Sequence, residues 1–161
     1  MLEAVKIVNI QKSHLQSMYL WELDKEIQKN AGIEHPRTYE HFLNSFAKYF
    51  RGEKPQCLLR AVEVNGILLG KIELFFDGDR NYLGIVLASQ RNQGVGTKAL
   101  NLFLEEIKQQ RNVNKVYVEV FDDNERSLHF FQKNWFVYTG ESTIEWYRNQ
   151  QRKLMTLVRD I

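Results

Sequence analysis

Asn65-Gly66 stands between two runs of strand-forming residues, Leu58 to Val64 and Ile67 to Phe76. Both central residues of a type I′ turn need positive φ, which Asn and Gly adopt most readily, so this pair predicts a tight antiparallel hairpin. Asp77-Gly78-Asp79 predicts a second turn, and Tyr82 to Leu87 a third strand of the same meander. Any fold for this chain must be built around that antiparallel core.

The flanks switch period. Val5, Ile7 and Ile10 suggest a first strand, and Leu15, Met18, Tyr19 and Leu23 recur at helical spacing. Asp24 to Arg37 is polar with weak periodicity and contains Gly32 and Pro36, which predicts mostly loop or a short helical turn. Thr38 opens a segment with Phe42, Phe46, Tyr49 and Phe50 on one helical stripe, ending before Gly52. After the meander come a long helix carrying Ala99, Leu100, Phe103, Leu104 and Ile107, a strand from Lys115 to Phe121, and a short helix around Leu128 to Phe131. Phe136 to Trp146 and Leu154 to Val158 predict a terminal hairpin, with Arg148 to Lys153 as its polar turn. The expected class is α/β, a central mixed, mostly antiparallel sheet flanked by helices.

A length of 161 residues suits one domain spanning 1–161, and 43% hydrophobic with 12% aromatic residues supply a core, which excludes disordered, coiled-coil and collagen-like chains. A formal net charge of +2 gives no global field to recruit nucleic acid or an anionic membrane. The single cysteine, Cys57, excludes a disulfide scaffold and a Cys-based zinc site, and reads as a core residue in a reducing compartment. The amino end alternates apolar and polar residues rather than forming a signal peptide, and no apolar run approaches the ~20 residues that span a bilayer. The expectation is a soluble cytoplasmic protein. His14, His35, His41 and His129 lack paired ligand spacing and read as solvated or capping residues, so no metal is expected.

Arg91-Asn92-Gln93-Gly94-Val95-Gly96-Thr97-Lys98 lies between a strand and a helix. Successive amides at a helix start, unobstructed at the glycines, can hold a diphosphate with help from the helix dipole. The same glycines also serve an ordinary strand-to-helix turn. A Walker A loop is excluded because Thr97 separates Gly96 from Lys98. Gly94, Gly96 and Ala99 fit the dinucleotide pattern G-x-G-x-x-A with Glu119 about twenty residues on. Against that reading, the preceding strand belongs to a meander, polar residues Ser89 to Gln93 intervene, and little chain follows.

Arg91 to Gly96 also matches Gln/Arg-x-x-Gly-x-Gly/Ala, preceded by the apolar strand Gly84-Ile85-Val86-Leu87. A second block, Val118 to Phe136, has the order strand, asparagine, short helix, closing aromatic. In both blocks and in the order of elements along nearly the whole chain, the sequence resembles the GNAT N-acetyltransferase superfamily. The Asp-Asn-Glu-Arg run looks most like the branch of ribosomal-protein and spermidine acetyltransferases.

The resemblance implies acetyl transfer from acetyl-CoA to a primary amine, on a protein N-terminus, a polyamine or an aminoglycoside-like acceptor, without metal, from a sheet with a splayed strand pair. It implies that the backbone from Asn92 to Thr97 binds the diphosphate and that Ile85 and Val86 offer main-chain groups to the pantetheine arm. Glu119, in an otherwise apolar strand, is implied as the base, and its neighbours should raise its pKa. A cross-strand lysine partner is the competing role for Glu119, and Glu73 and Asp79 are substitutes for it. Asn124 is implied as a pantetheine ligand and also reads as a helix cap. Phe131 replaces the tyrosine that protonates the leaving sulfur in relatives, and Trp135 replaces a glycine. Without that tyrosine, a catalytically weak acyl-CoA-binding module is the rival reading. The acceptor is expected between Asp24 to Pro36 and Trp146 to Arg152, where Asp24, Glu26 and Glu34 favour a cation. Arg148, Arg152 and Lys153 read as a solvated turn or as a contact for an acidic substrate. A homodimer is compatible with the family.

Overall fold

The computed structural model describes residues 4–88 and 94–161. Seven strands form one sheet in the order β1-β2-β3-β4-β5-β7-β6. β1 (Val5–Asn9), β2 (Cys57–Val64), β3 (Ile67–Asp77) and β4 (Arg80–Leu87) pair antiparallel in succession. The hairpin forms as expected, with Asn65 at φ 53° and Gly66 at φ 80° in its turn. β5 (Lys115–Phe121) lies parallel to β4, and β7 (Gln150–Asp160) pairs antiparallel with both β5 and the outer strand β6 (Val137–Tyr147).

One face of the sheet carries α4 (Val95–Arg111) and α5 (Glu125–Lys133). Ile72, Val116, Val118 and Leu157 from the sheet pack there with Leu100, Phe103, Phe131 and Phe136. The other face carries α1 (Leu15–Glu22) and α3 (Tyr39–Phe50), with Met18, Phe42 and Phe46 packed on Leu59 and Ala61. Along β5 the face toward α4 is buried at Val116, Val118 and Val120, whereas the opposite face is exposed at Lys115 and Glu119 and buried again only at Phe121.

Two sequence expectations are corrected. The segment read as mostly loop or a short helical turn holds a full seven-residue helix, α2 (Lys25–Ala31), started by Asp24, whose side chain accepts from the Ile27 N–H, and stopped by Gly32 at φ 72°. Its seven residues show only weak periodicity because much of its hold is polar: buried Gln28 donates to Glu22 O at 2.8 Å and accepts from Arg148 at 2.8 Å. The terminal turn is only Arg148-Asn149, at φ 50° and 65°. Residues 150–153 are strand, and their polarity reflects an exposed β7 end on which Arg152 alone turns inward.

Candidate active site

β4 and β5 bridge each other at Tyr82 and Tyr117 and at no later residue among those described. Both strands run on for several residues, to Leu87 and Phe121, so they diverge. The gap leaves backbone groups of β4 without a strand partner on that side. Ala88 donates to Leu69 O, and alternation from that bond turns the Ile85 amide and carbonyl toward the gap, whereas those of Val86 turn toward Lys71 of β3. The Val86 side chain instead lines a groove on the α1 face, and Ile85 packs on the α4 core.

At the head of this gap α4 begins. α2, α3 and α5 each start at a side chain that accepts a backbone N–H: Asp24, Thr38 and Asn124. α4 starts at Gly94, in the left-handed conformation at φ 75°, with no side-chain cap among the described residues. The first N–H groups of a helix have no acceptor inside it, so the amides of Val95, Gly96 and Thr97 remain available to an anion. Gly96 has another reason to be glycine. A Cβ there would meet Phe130 of α5 at 2.9 Å and Leu87 of β4 at 3.2 Å, so its role is close packing rather than positive φ. Arg91, Asn92 and Gln93 lie outside the described residues.

Asn134, which sequence reasoning missed, fixes this junction from the α5 side. It is buried, and its Nδ2 donates to Thr97 Oγ1 at 3.2 Å and to Phe130 O at 2.8 Å, tying the end of α5 to the first turn of α4. Asn124 caps α5: its Oδ1 accepts from the Ser127 N–H at 3.2 Å and its Nδ2 donates to Ser127 Oγ at 2.9 Å. Phe131 is buried, edge-on to Phe130 and Phe136 with ring centroids 5.1 and 5.2 Å apart.

Glu119 projects from β5 on the opposite face from α4, with no hydrogen bond or ion pair among the described residues, so the cross-strand lysine partner is not found. Its strand neighbour is Thr156. Partial loss of water pushes its carboxyl up from the ordinary value, the like charges of Glu145 and Asp77 add to this, and Arg80 opposes it. Arg80 is itself held by Glu141 at 2.7 and 2.8 Å and lies over the Tyr117 ring. Glu73 shares this face. It stands opposite Gly84, whose missing side chain opens the strip of β4 between the two carboxylates.

The adjoining groove, of about 460 Å3, runs between α1, α2 and strands β3 and β4, with Trp21, Ile27, Ile33, Lys71, Glu73 and Val86 among its walls. Its charges are matched in pairs, Glu22 with Arg37 at 2.8 Å and Glu73 with Lys71 at 3.8 Å. The residues from Trp146 to Arg152 do not line it, contrary to expectation. Arg148 and Arg152 are instead structural. Arg152 is buried, donates to both Asp123 oxygens at 3.1 and 2.8 Å and to Lys29 O at 2.6 Å, and stacks on Phe121. Asp24 is spent on capping α2. Among the described residues no group of three His, Cys, Asp or Glu side chains is arranged to hold a metal.

A seven-stranded mixed sheet parted between β4 and β5, with a glycine-started helix at the opening, defines an α/β class with a cleft suited to an anionic ligand. The sequence matches the acetyltransferase (GNAT) family over residues 15–135, and the chain belongs to that family. Its enzymes are N-acetyltransferases that use acetyl-CoA. The fold is similar to that of spermidine N-acetyltransferase from Vibrio cholerae, solved with CoA and spermine: TM-score 0.87 and 16% identity over 98% of this chain and 95% of that one. It is likewise similar to a ribosomal L7/L12 alpha-N-protein acetyltransferase solved with CoA, at TM-score 0.84 and 13% identity over 99% and 95% of the two chains. A third similar structure, from Salmonella typhimurium, modifies the N-terminal serine of ribosomal protein L7/L12, with TM-score 0.80 and 15% identity over 99% and 96%.

Proposed function

We propose that residues 1–161 form one catalytic domain that transfers the acetyl group of acetyl-CoA to the amine of a peptide or protein N-terminus. The observation that carries the reading is the coincidence of the β4–β5 gap with an α4 start that no described side chain caps. The amides from Gly94 to Thr97, continued by Arg91, Asn92 and Gln93, hold the diphosphate, and Gly94 admits it closely. The Ile85 main chain faces the gap and pairs with the pantetheine arm, Asn124 and Phe131 are assigned to the same arm from the α5 side, and Val86 serves from the groove on the α1 face.

When bound, acetyl-CoA supplies an activated thioester. Glu119, with its raised carboxyl, takes the proton that the incoming ammonium must lose. A new C–N bond then replaces the C–S bond, and the sulfur departs as thiolate, which a thiol pKa of about 8.5 permits near neutral pH. The groove supports a peptide acceptor over a polyamine. Its carboxylates already face cations and its walls are largely apolar, so it offers little to a chain of spaced positive charges. Exposed Ile144 and Trp146 on the outer strand support a homodimer through β6. The unpaired Cys57 accords with a cytoplasmic enzyme.

Phe131 favours a second reading, an acyl-CoA-binding module that turns over poorly, because a buried phenyl ring has no proton to give. Release of free CoA, read with a thiol reagent across peptides with apolar first residues, spermidine and an aminoglycoside, separates the two. Peptide-dependent release is expected. Binding of acetyl-CoA without release from any amine establishes the module instead, and preferential release with spermidine moves the acceptor to the polyamines.

A further inference from the structure

Trp135 is the least economical residue in the fold. It sits at φ 73°, a conformation that bulky side chains rarely adopt, and it is 77% exposed, so burial does not repay the strain. A glycine would occupy the position freely. Strain held on an exposed aromatic ring points to something that the ring contacts outside the chain.

Its neighbours say where that contact lies. Asn134, one residue earlier, reaches Thr97 on the first turn of α4, and Phe136, one residue later, is anchored in the core. Arg159 donates to the Asn134 carbonyl at 3.0 Å, which holds the peptide between Asn134 and Trp135 in place. Consecutive Cα atoms are about 3.8 Å apart, so the indole springs from within a nucleoside's length of the amides assigned to the diphosphate. The nucleoside attached to a diphosphate held there is adenosine, a flat π-system.

We infer that Trp135 is a cosubstrate-binding residue whose indole stacks on the adenine of acetyl-CoA, and that its backbone strain is retained for this contact. The inference rests on the diphosphate site proposed above. Stacking of a base on an aromatic side chain is worth enough to change affinity by roughly ten- to a hundredfold.

Calorimetry with acetyl-CoA and with acetyl-phosphopantetheine, which lacks the adenosine, tests it in the parent, Trp135→Gly and Trp135→Phe. The glycine variant should melt about 2–4 °C higher through relief of the positive φ, yet bind acetyl-CoA roughly ten- to a hundredfold more weakly. Its affinity for acetyl-phosphopantetheine should match the parent's, and the phenylalanine variant should keep most of the acetyl-CoA affinity. Unchanged acetyl-CoA affinity in the glycine variant overturns the inference. Equal weakening for both ligands, with a lower melting temperature, assigns Trp135 a structural role and overturns it too. Failure of the parent itself to bind acetyl-CoA overturns the diphosphate site on which the inference stands.

Discussion

Glu119 has no hydrogen-bond or ion-pair partner among the described residues and can be replaced without orphaning any of them, so Glu119→Gln tests chemistry and stability together. Turnover should fall by roughly 10²–10⁴ while acetyl-CoA affinity is kept, and the acidic limb of the rate profile should disappear. The raised carboxyl also has a consequence for folding. The folded state binds the proton more tightly than the unfolded chain, so stability falls as pH rises from about 4.3 through the raised value and stays lower above it. The glutamine variant should therefore melt higher than the parent at pH 7, with the gap closing below about pH 4. Equal melting at both pH values with an intact acidic limb transfers the role to Glu73, on the other side of Gly84. Nothing in composition or periodicity separates these two glutamates. Only the match of the block from Val118 to Phe136 to a family pattern singled out Glu119, and only the sheet register reveals that Glu73 shares its face.

Helix α2 and the β6–β7 hairpin hold each other, and Arg152 is where they meet. Its guanidinium keeps the Asp123 carboxyl below the usual carboxylate range, so the pair contributes above about pH 3.9 and is lost as the pH falls further. Arg152→Met leaves Asp123 and the Lys29 carbonyl unpaired and should destabilise the protein by roughly 2–4 kcal/mol at pH 7, measured by urea unfolding. Arg152→Lys should recover little, since an ammonium cannot reproduce the two-pronged contact. A loss under ~0.5 kcal/mol in the methionine variant would return this arginine to the solvated turn that the sequence suggested. The chain's local signals were legible: Asn65-Gly66, the stripe of Phe42 and Phe46, and Thr38 as the opening of that helix all acted as read. Arg152 and Asn134 were not, because their partners lie 29 and 37 residues away and no periodicity marks them. The extent of α2 was underread for the same reason, its caps Asp24 and Gly32 being visible but its buried face resting on Gln28.

At the scale of the molecule, the gap between β4 and β5 means that the sheet of the free protein lacks contacts that a bound cosubstrate can supply. Binding to the folded state alone stabilises it by mass action. At acetyl-CoA a hundredfold above its Kd, the melting temperature should rise by about 5–10 °C, and Gly94→Val should abolish the rise by straining the left-handed start of α4. A rise of equal size in that folded variant would remove the cradle from α4. The meander and the order of elements could be read from patterns, and the family resemblance placed the splayed pair beside Ile85 and Val86, but the residue where β5 stops pairing with β4 depends on long-range register that no local signal marks.

Mechanically, such a sheet is two stiff plates with a crease. β1 to β4 make one plate and β5, β7 and β6 the other, joined at the Tyr82–Tyr117 bridge, with α4 packed on β1 and β3 of the first plate. Bending at the crease leaves the hydrogen bonds inside each plate intact, so whatever enters the opening acts as a wedge between the two plates.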